Sequence, residues 1–285
     1  MKHGRRQKIF KRSGDMTIIN TNIASEQAQV ALMKNSRGLF TAMQQLSTGK
    51  RINSASDDAA GVAIVATMNG QIRSLGQSIR NANDGISLLQ TADSSTEQVT
   101  RMLQRMRELV TQALNGTYSS SDVTNMGTEV EALQDEIDRI AEDSTWNGTN
   151  LLNGSYTGKT IQLSDSSSLT LETGDLTTST LGVDSSVIDF TGTISSSWLT
   201  LIDTAISDVS TVRATMGATI NRLSYSVDNL TSTSTNLSAS VSRIGDTDYA
   251  AATAQLAKHQ ILQQAATAML AQANQQPQLV LSLLK

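Results

Sequence analysis

A mainly α fold is predicted, a long antiparallel coiled-coil helical rod with a small β-hairpin region and paired terminal helices, and three observations predict it. Apolar residues recur in seven-residue rows on both sides of the chain's middle, the pattern of helices packed along a coiled-coil seam. The single proline, Pro277, stands near the C-terminus, so the strongest helix breaker is missing from everything before it. Between the two sets of rows, residues 145–197 are dominated by Ser, Thr and Gly, a composition that favours turns and short strands.

Residues 1–15, MKHGRRQKIFKRSGD, carry six Lys or Arg and no periodic apolar face. They read as a disordered basic extension; a tether to nucleic acid or membrane is the functional alternative to a solvated charge run, and Met16 is a candidate natural start. Residues 16–58 form the N-terminal part of a terminal helical domain, with Leu32, Leu39 and Leu46 seven apart and Ala28 and Ala42 beside them. That amphipathic helix ends near Ser47-Thr48-Gly49. Ser54, Ser56 and Asp57 then offer N-caps for the next helix, and Asp57 and Asp58 suit its positive end.

Rod helices follow over 59–144. Val65, Ile72, Ile79 and Ile86 make one row, Met68, Leu75, Ala82 and Leu89 the other. After a local phase slip the seam resumes at Val99, Leu103, Met106, Val110 and Ala113, then breaks at Asn115-Gly116 and Ser119 to Ser121. A second helix carries Val123, Met126, Val130, Leu133, Ile137 and Ile140.

In the β region of 145–197, Asn147-Gly148 and Asn153-Gly154 favour tight turns, and Ile161/Leu163 and Leu169/Leu171 alternate as strands do. Residues 198–246 form a returning rod helix from Ile202 to Ile244, in one phase apart from Arg213 and Ser234. It spans roughly 65 Å at the α-helical rise. Residues 247–285 are the C-terminal part of the terminal domain, rich in Ala and Gln. The chain therefore goes out and comes back. A returning helix pairs with outgoing ones inside one molecule, but the terminal stripes need partners from other copies. Leu32, Leu39, Leu46, Ile261, Leu262, Leu270, Leu279, Leu281, Leu283 and Leu284 are the residues expected to supply them. Identical subunits joined head to tail make an open helical polymer unless the rotation closes.

Composition excludes other classes. The chain is 38% hydrophobic but 3% aromatic, so its core is built from Leu, Ile, Val, Met and Ala; Met68, Met102, Met106, Met126 and Met216 read as core filler. A net charge of −4 leaves no broad basic surface, so neither nucleic acid nor membrane is an expected partner. Cysteine is absent, which removes disulfides and thiolate chemistry. No apolar run suffices to span a bilayer, and no signal-peptide core stands at the N-terminus. Histidine occurs only at His3 and His259, too few for an H-E-x-x-H zinc site, and no G-x-S-x-G elbow is present. Asp57, Asp58, Asp84 and Asp93 lack EF-hand spacing and read as caps and solvated faces. No enzyme and no cofactor are expected. Asn147-Gly-Thr149 and Asn153-Gly-Ser155 are formal N-glycosylation acceptors that turn chemistry already explains, and the Ser/Thr-rich middle is a candidate for O-glycans.

The segments IINTN (Ile18 to Asn22), LSTGKRINSASDDAAGVAI (Leu46 to Ile64) and RNANDGISLLQTAD (Arg80 to Asp93) resemble the N-terminal region of bacterial flagellin. SRIGDTDYA (Ser242 to Ala250) and QILQQAATAMLAQANQQPQLVLSLLK (Gln260 to Lys285) resemble its C-terminal region. The resemblance implies a subunit of the swimming filament, with terminal helices lining an inner tube and rods around them. It also implies type III export to the cell exterior, an export chaperone over the C-terminal helix, and contacts with hook-associated junction and cap proteins. Only a short middle is present, so a thin, smooth filament is expected. Where relatives usually carry an acidic residue this chain has Gly245, which implies a looser hinge. The basic extension, if retained, would lie near the central channel.

Gln104, Arg105, Arg107, Glu108 and Leu109 around Met106, with Glu129, are similar to the patch by which some flagellins are bound by the vertebrate Toll-like receptor five. In the filament Met106 is expected in the core, with Arg105, Glu108 and Leu109 facing the adjacent protofilament. Two alternatives stay open: a hook-filament junction protein, which normally departs from the C-terminal motif, and a flagellin-like surface receptor or adhesin for polysaccharide. The latter would use the segment 145–197, whose neighbourhood offers Trp146, Tyr156, Phe190 and Trp198 as aromatic platforms.

Overall fold

The computed structural model describes residues 21–164 and 167–283, with side chains described as far as residue 275. The basic extension, Met16, the motif residues Ile18 to Asn20 and Leu284 lie outside the described residues, as do the side chains of Leu279, Leu281 and Leu283. Six helices and two strand pairs follow in the order α1 (Ile23–Thr48), α2 (Ala59–Ala113), α3 (Ser120–Asp143), β1 (Thr145–Trp146), β2 (Thr149–Asn150), β3 (Lys159–Ser164), β4 (Ser167–Leu171), α4 (Thr178–Leu181), α5 (Ser197–Gly245) and α6 (Tyr249–Leu283). The chain divides into a terminal unit, which joins the sequence up to Val65 with that from Val241 onward, and a central unit, Ala66–Ser240.

In the terminal unit α1 pairs with α6. Asn22 caps α1 by accepting the Ser25 N–H at 3.1 Å, and Gly49, at φ 70°, ends it by donating to the Gln45 carbonyl. The α2 N-terminus is capped by Asp58, whose Oδ1 accepts the Gly61 N–H at 2.9 Å. Asp57, expected to cap, instead accepts the N–H groups of Asn53 and Ser54 at 3.0 and 2.9 Å and folds the preceding turn. Those bonds hold its carboxyl below the ordinary value. Ser54 and Ser56 bond each other in the same turn. The expected looseness at Gly245 meets a different finding. Its carbonyl accepts the Arg51 N–H at 2.8 Å, the neighbouring Ile244 carbonyl accepts the Arg51 guanidinium at 2.6 Å, and Thr247 N–H donates to the Gly49 carbonyl at 2.9 Å.

In the central unit α2 and α5 run antiparallel: Arg107 reaches Asp203 at 2.6 Å, and Asp93 receives Arg213 at 2.8 Å. The expected seams form the core over part of their length, with Leu89, Val99, Leu103, Met106 and Val110 of α2, Val130 and Ile137 of α3, and Ile202, Val209 and Met216 of α5 fully buried. The α2 row positions Val65, Met68, Ile72, Leu75, Ile79 and Ile86 and the α5 positions Val227, Leu230, Leu237, Val241 and Ile244 are half-buried. α2 passes through the phase slip without a break. Ala92 and Thr96 fill the inward positions there, and the buried Thr96 hydroxyl donates to the Ala92 carbonyl at 2.7 Å. The polar residue left beside the α2 slip, Asp93, meets the polar exception on the returning helix, Arg213.

α3 opens with a capping box, Ser119 Oγ accepting the Asp122 N–H while Asp122 accepts the Ser119 N–H. β1 and β2 are joined by Asn147-Gly148, both in the left-handed region at φ 48° and 77°, as a two-residue hairpin of this sequence demands. Asn153-Gly154 does not join strands; Asn153 instead bridges Asp175. β3 and β4 pair antiparallel with Ile161 opposite Leu169. This hairpin sits on α2 over Gly85, where an added Cβ would lie 2.0 Å from Ile161 Cδ1. The short α4 was not legible beforehand. Its first turn is held from α3, Asp138 accepting the Thr178 N–H and hydroxyl at 2.7 Å each.

Candidate assembly surface

The α1–α6 pair meets along one heptad row from each helix. On α1 it runs Ser25, Ala28, Leu32, Asn35, Leu39, Ala42, Leu46, and on α6 Ala252, Leu256, His259, Gln263, Ala266, Leu270, Ala273, all buried or half-buried. Leu32, Leu39, Leu46 and Leu270, assigned beforehand to contacts between subunits, thus lie on the intrachain seam. The reason is that α6 returns alongside α1 and covers that stripe first. Ile261 and Leu262 lie elsewhere, 66% and 44% exposed.

The same pair bares a second set of large apolar side chains. Val30, Met33, Phe40 and Met43 on α1, together with Ile261, Leu262 and Met269 on α6, are all exposed, Phe40 to 69%. So much apolar area outside the core marks a surface made for a partner. From this set only Ile261 and Leu262 were expected at contacts between subunits, with Met269 legible as part of the same apolar pattern on α6. The α1 signal was present too, since Val30, Met33 and Phe40 recur at helical spacing, but a helix apolar on two faces was read through its stronger leucine row.

Of the patch grouped on α2, Arg105, Glu108 and Glu129 are joined by ion pairs, whereas Arg107 pairs elsewhere and Leu109 is buried. Arg105 bridges α2 to α3 through Glu129 at 2.8 Å and pairs along its own helix with Glu108 at 3.1 Å. Hydrogen bonds to Glu129 and then Glu108 hold the guanidinium above its ordinary value. Arg107 turns instead to Asp203 of α5, and that bond raises it likewise. Gln104 is exposed and Met106 is buried, as expected. Leu109 is a correction: at 2% exposure it belongs to the core and faces neither solvent nor a neighbour. With three helices meeting there, α2 buries a broad face that takes in Met106, Leu109, Val110 and Ala113 together.

Of the aromatic platforms weighed for a polysaccharide, Phe190 and Trp198 pack on each other with ring centroids 5.4 Å apart and are buried; Trp146 and Tyr156 are half-buried against the core. Among the described residues no cluster of His, Asp or Glu could hold a metal ion, and no helix is long and apolar enough to cross a membrane.

Comparison with known proteins accounts for this arrangement. The family model of the bacterial flagellin N-terminal helical region matches residues 19–157, and that of the C-terminal helical region matches residues 199–284. The second match covers the segment where a junction protein was expected to depart. Flagellin of Bacillus subtilis strain 168 is 39% identical over 302 residues, covering 94% of this chain and 99% of that protein. Flagellin of Halalkalibacterium halodurans is 41% identical over 272 residues, covering 94% of this chain and 100% of that protein. The flagellar filament 33 kDa core protein of Treponema phagedenis is 39% identical over 285 residues, with 94% and 100% covered. With helical regions matched at both ends and whole-length relatives of this identity, the chain belongs to the bacterial flagellins and is a structural subunit of the flagellar filament.

Proposed function

We propose that subunits polymerise through the outward apolar faces of the terminal helix pair. The observation that carries this reading is the exposed set Val30, Met33, Phe40, Ile261, Leu262 and Met269, which no part of the described chain covers. Burying such side chains contributes roughly 1.5–3 kcal/mol each, so a few of them per contact suffice to drive head-to-tail growth. In this scheme residues 16–58 and 247–285 form the filament core, and 59–144 and 198–246 the rods, with 145–197 as their β region. Leu32, Leu39, Leu46 and Leu270 shape the pair from within, and Leu279, Leu281, Leu283 and Leu284 extend the sticky face. Assembly takes place outside the cell after export. A chaperone that covers the exposed face of α6 would keep subunits apart beforehand, and hook-associated junction and cap proteins would meet the same faces at the filament's ends.

The Arg105, Glu108 and Glu129 cluster, with Gln104 beside it, is exposed, polar and held by ion pairs across α2 and α3, as a protein-recognition patch needs. On that basis the free subunit is a ligand for Toll-like receptor five, with Leu109 supporting the patch from beneath.

The test is seeded growth followed by electron microscopy. The wild-type chain is expected to extend filament fragments, and a Phe40→Gln, Ile261→Gln variant to remain monomeric while its central unit melts at the wild-type temperature. Normal filaments from that variant would overturn the assignment.

A further inference from the structure

The seam between α1 and α6 is unusual for a helix pair that must align. Of its fourteen positions nine are Ala, Ser, Asn, Gln or His, and in an alanine-rich seam a slip of one heptad changes apolar burial little. Something other than hydrophobic packing has to choose the alignment, and two polar contacts on this seam are placed to do so.

The first is Asn35 with His259. Asn35, 9% exposed, donates from Nδ2 to the His259 main-chain carbonyl at 2.8 Å, and its Oδ1 lies 2.7 Å from His259 Nδ1. Because the amide nitrogen is committed to the carbonyl, the oxygen faces the ring and Nδ1 carries the proton. The imidazole fits because Gly38 lies beneath it: a Cβ there would stand 2.4 Å from Cε1. Gly38 is the one glycine within α1.

The second contact lies thirteen residues back along α1. Asn22 Nδ2 donates to the Ala273 carbonyl at 2.8 Å, with Ser25 Oγ donating to Asn274 Oδ1 at 2.8 Å beside it. Ala273 stands four residues before Pro277, and α6 runs through both. Proline has no N–H to give to the carbonyl four residues back, so the chain's single proline frees the acceptor that Asn22 takes. Both contacts specify the same antiparallel alignment, and a seven-residue slip breaks both and leaves Asn35 buried against alanine.

We propose that Asn35, Gly38 and His259, together with Asn22 and the carbonyl released by Pro277, form a register lock for the terminal helix pair. The lock rests on the reading that this pair is the assembly surface, because register decides which outward residues of α1 and α6 stand side by side. A buried polar residue that selects alignment at some expense in stability is a known device of coiled coils. Here the device is asymmetric, one side chain against a ring and one against a backbone atom, so no second alignment satisfies it.

The chain holds no cysteine, which makes the test direct. Ala28 and Ala266 lie seven residues from Asn35 and His259 on opposite helices, so Ala28→Cys with Ala266→Cys reports the native register, and Ala28→Cys with Ala273→Cys a one-heptad slip. Subunits carrying either pair are mixed in small proportion into wild-type growth from seeds, oxidised in the filament and scored for intrachain disulfide. Failure of the wild-type chain itself to grow would count against the assembly reading rather than the lock. In the otherwise native background the first pair is expected to close and the second not. Asn35→Leu with His259→Leu is expected to shift the ratio of native to slipped disulfide by about tenfold or more, since two part-buried hydrogen bonds are lost. His259→Gln, which keeps a donor within reach of Asn35, is expected to hold the native ratio. If the leucine variant is shut out of filaments, entry restored by glutamine supports the lock, whereas exclusion shared by the glutamine variant overturns it. A native ratio unchanged in the leucine variant overturns it as well.

Discussion

The terminal pair and the central unit are both built from long helices with heptad rows, yet they dispose of their apolar side chains in opposite ways. In the central unit Leu, Ile, Val and Met of three helices build a core with many members fully buried, and most of the surface is Ser, Thr and ion pairs, with Tyr225, Tyr118, Val187 and Leu114 as exposed apolar exceptions. In the terminal pair the described residues of α1 and α6 that are buried are Ser25, Asn35, Ala42 and Ala252, none of them completely, while Phe40, Met33 and Ile261 face outward. Similar patterns therefore serve different ends. A core that closes within one chain gives a subunit its own stability, and on the proposed assembly scheme a core left open is completed by the next subunit.

The sharpest way to break this contrast is to cut a leucine in each seam. Leu103→Ala removes a fully buried side chain among three helices and is expected to lower the stability of the central unit by about 3 kcal/mol, read from the urea midpoint of its unfolding. Leu32→Ala, at a half-buried seam position, should leave that midpoint in place and reduce the rate of seeded growth instead. Equal shifts of the central unit's midpoint would erase the distinction.

A smaller effect tests how closely the central core is filled. At Gly127 an added Cβ would stand 2.4 Å from Phe190 Cβ, and Phe190 is itself stacked on Trp198. Gly127→Ala gains helix propensity but forces that ring pair to move, and the net expectation is a loss of roughly 1–2 kcal/mol. Calorimetry that showed a gain would mean the Phe190 segment is looser than the core it covers.

How much of this was legible in the sequence follows from the range over which each signal acts. The buried stretches of the α2, α3 and α5 seams were readable because heptad rows report burial locally, while rows such as Ile72, Ile79 and Leu75 are only half-buried. The Asn147-Gly148 hairpin was readable because left-handed backbone needs those residues. The partner of Arg213 was not: Asp93 lies 120 positions away, and while Arg213 was visible as an exception in its row, Asp93 read as a cap or a solvated face. Leu109 was misplaced because the width of a buried face depends on how many helices meet it, which periodicity along one helix does not record. The leucine row of α1 was assigned to other subunits for the same reason, since the return of α6 along it is a long-range fact. Asp57 and Asp58 differ by one residue, within the usual uncertainty of a helix boundary.

The cap of α3 offers a finer probe through pH. Asp122 is held below its ordinary value first by the Ser119 hydroxyl and then by the Ser119 N–H. A lowered carboxyl pKa means that its contribution is present above the unfolded value of 3.8 and disappears as pH falls through the lower folded value. Ser119→Ala should therefore destabilise α3 near neutrality, and the gap from wild type should narrow below pH 3.8. A gap independent of pH would place the cap's effect in the serine alone.

The smallest expected effect falls at Gly245 and has the opposite sign. Glycine at the end of a helix leaves the unfolded chain more freedom to lose, and this position makes no use of that freedom, since Gly245 is not among the residues with positive φ. An added Cβ would meet Val65 Cγ2 at 3.6 Å, an ordinary contact. Gly245→Ala is therefore expected to stabilise the terminal unit by about 0.5–1 kcal/mol and to slow hydrogen exchange at the Arg51 amide, which donates to the Gly245 carbonyl. Faster exchange there would mean that the bonds from Arg51 depend on adjustment that alanine forbids, and that the glycine acts as the hinge its sequence suggested. Slower exchange together with unchanged filament growth would show that the terminal pair can be stiffened at its junction without closing the face it offers to other subunits.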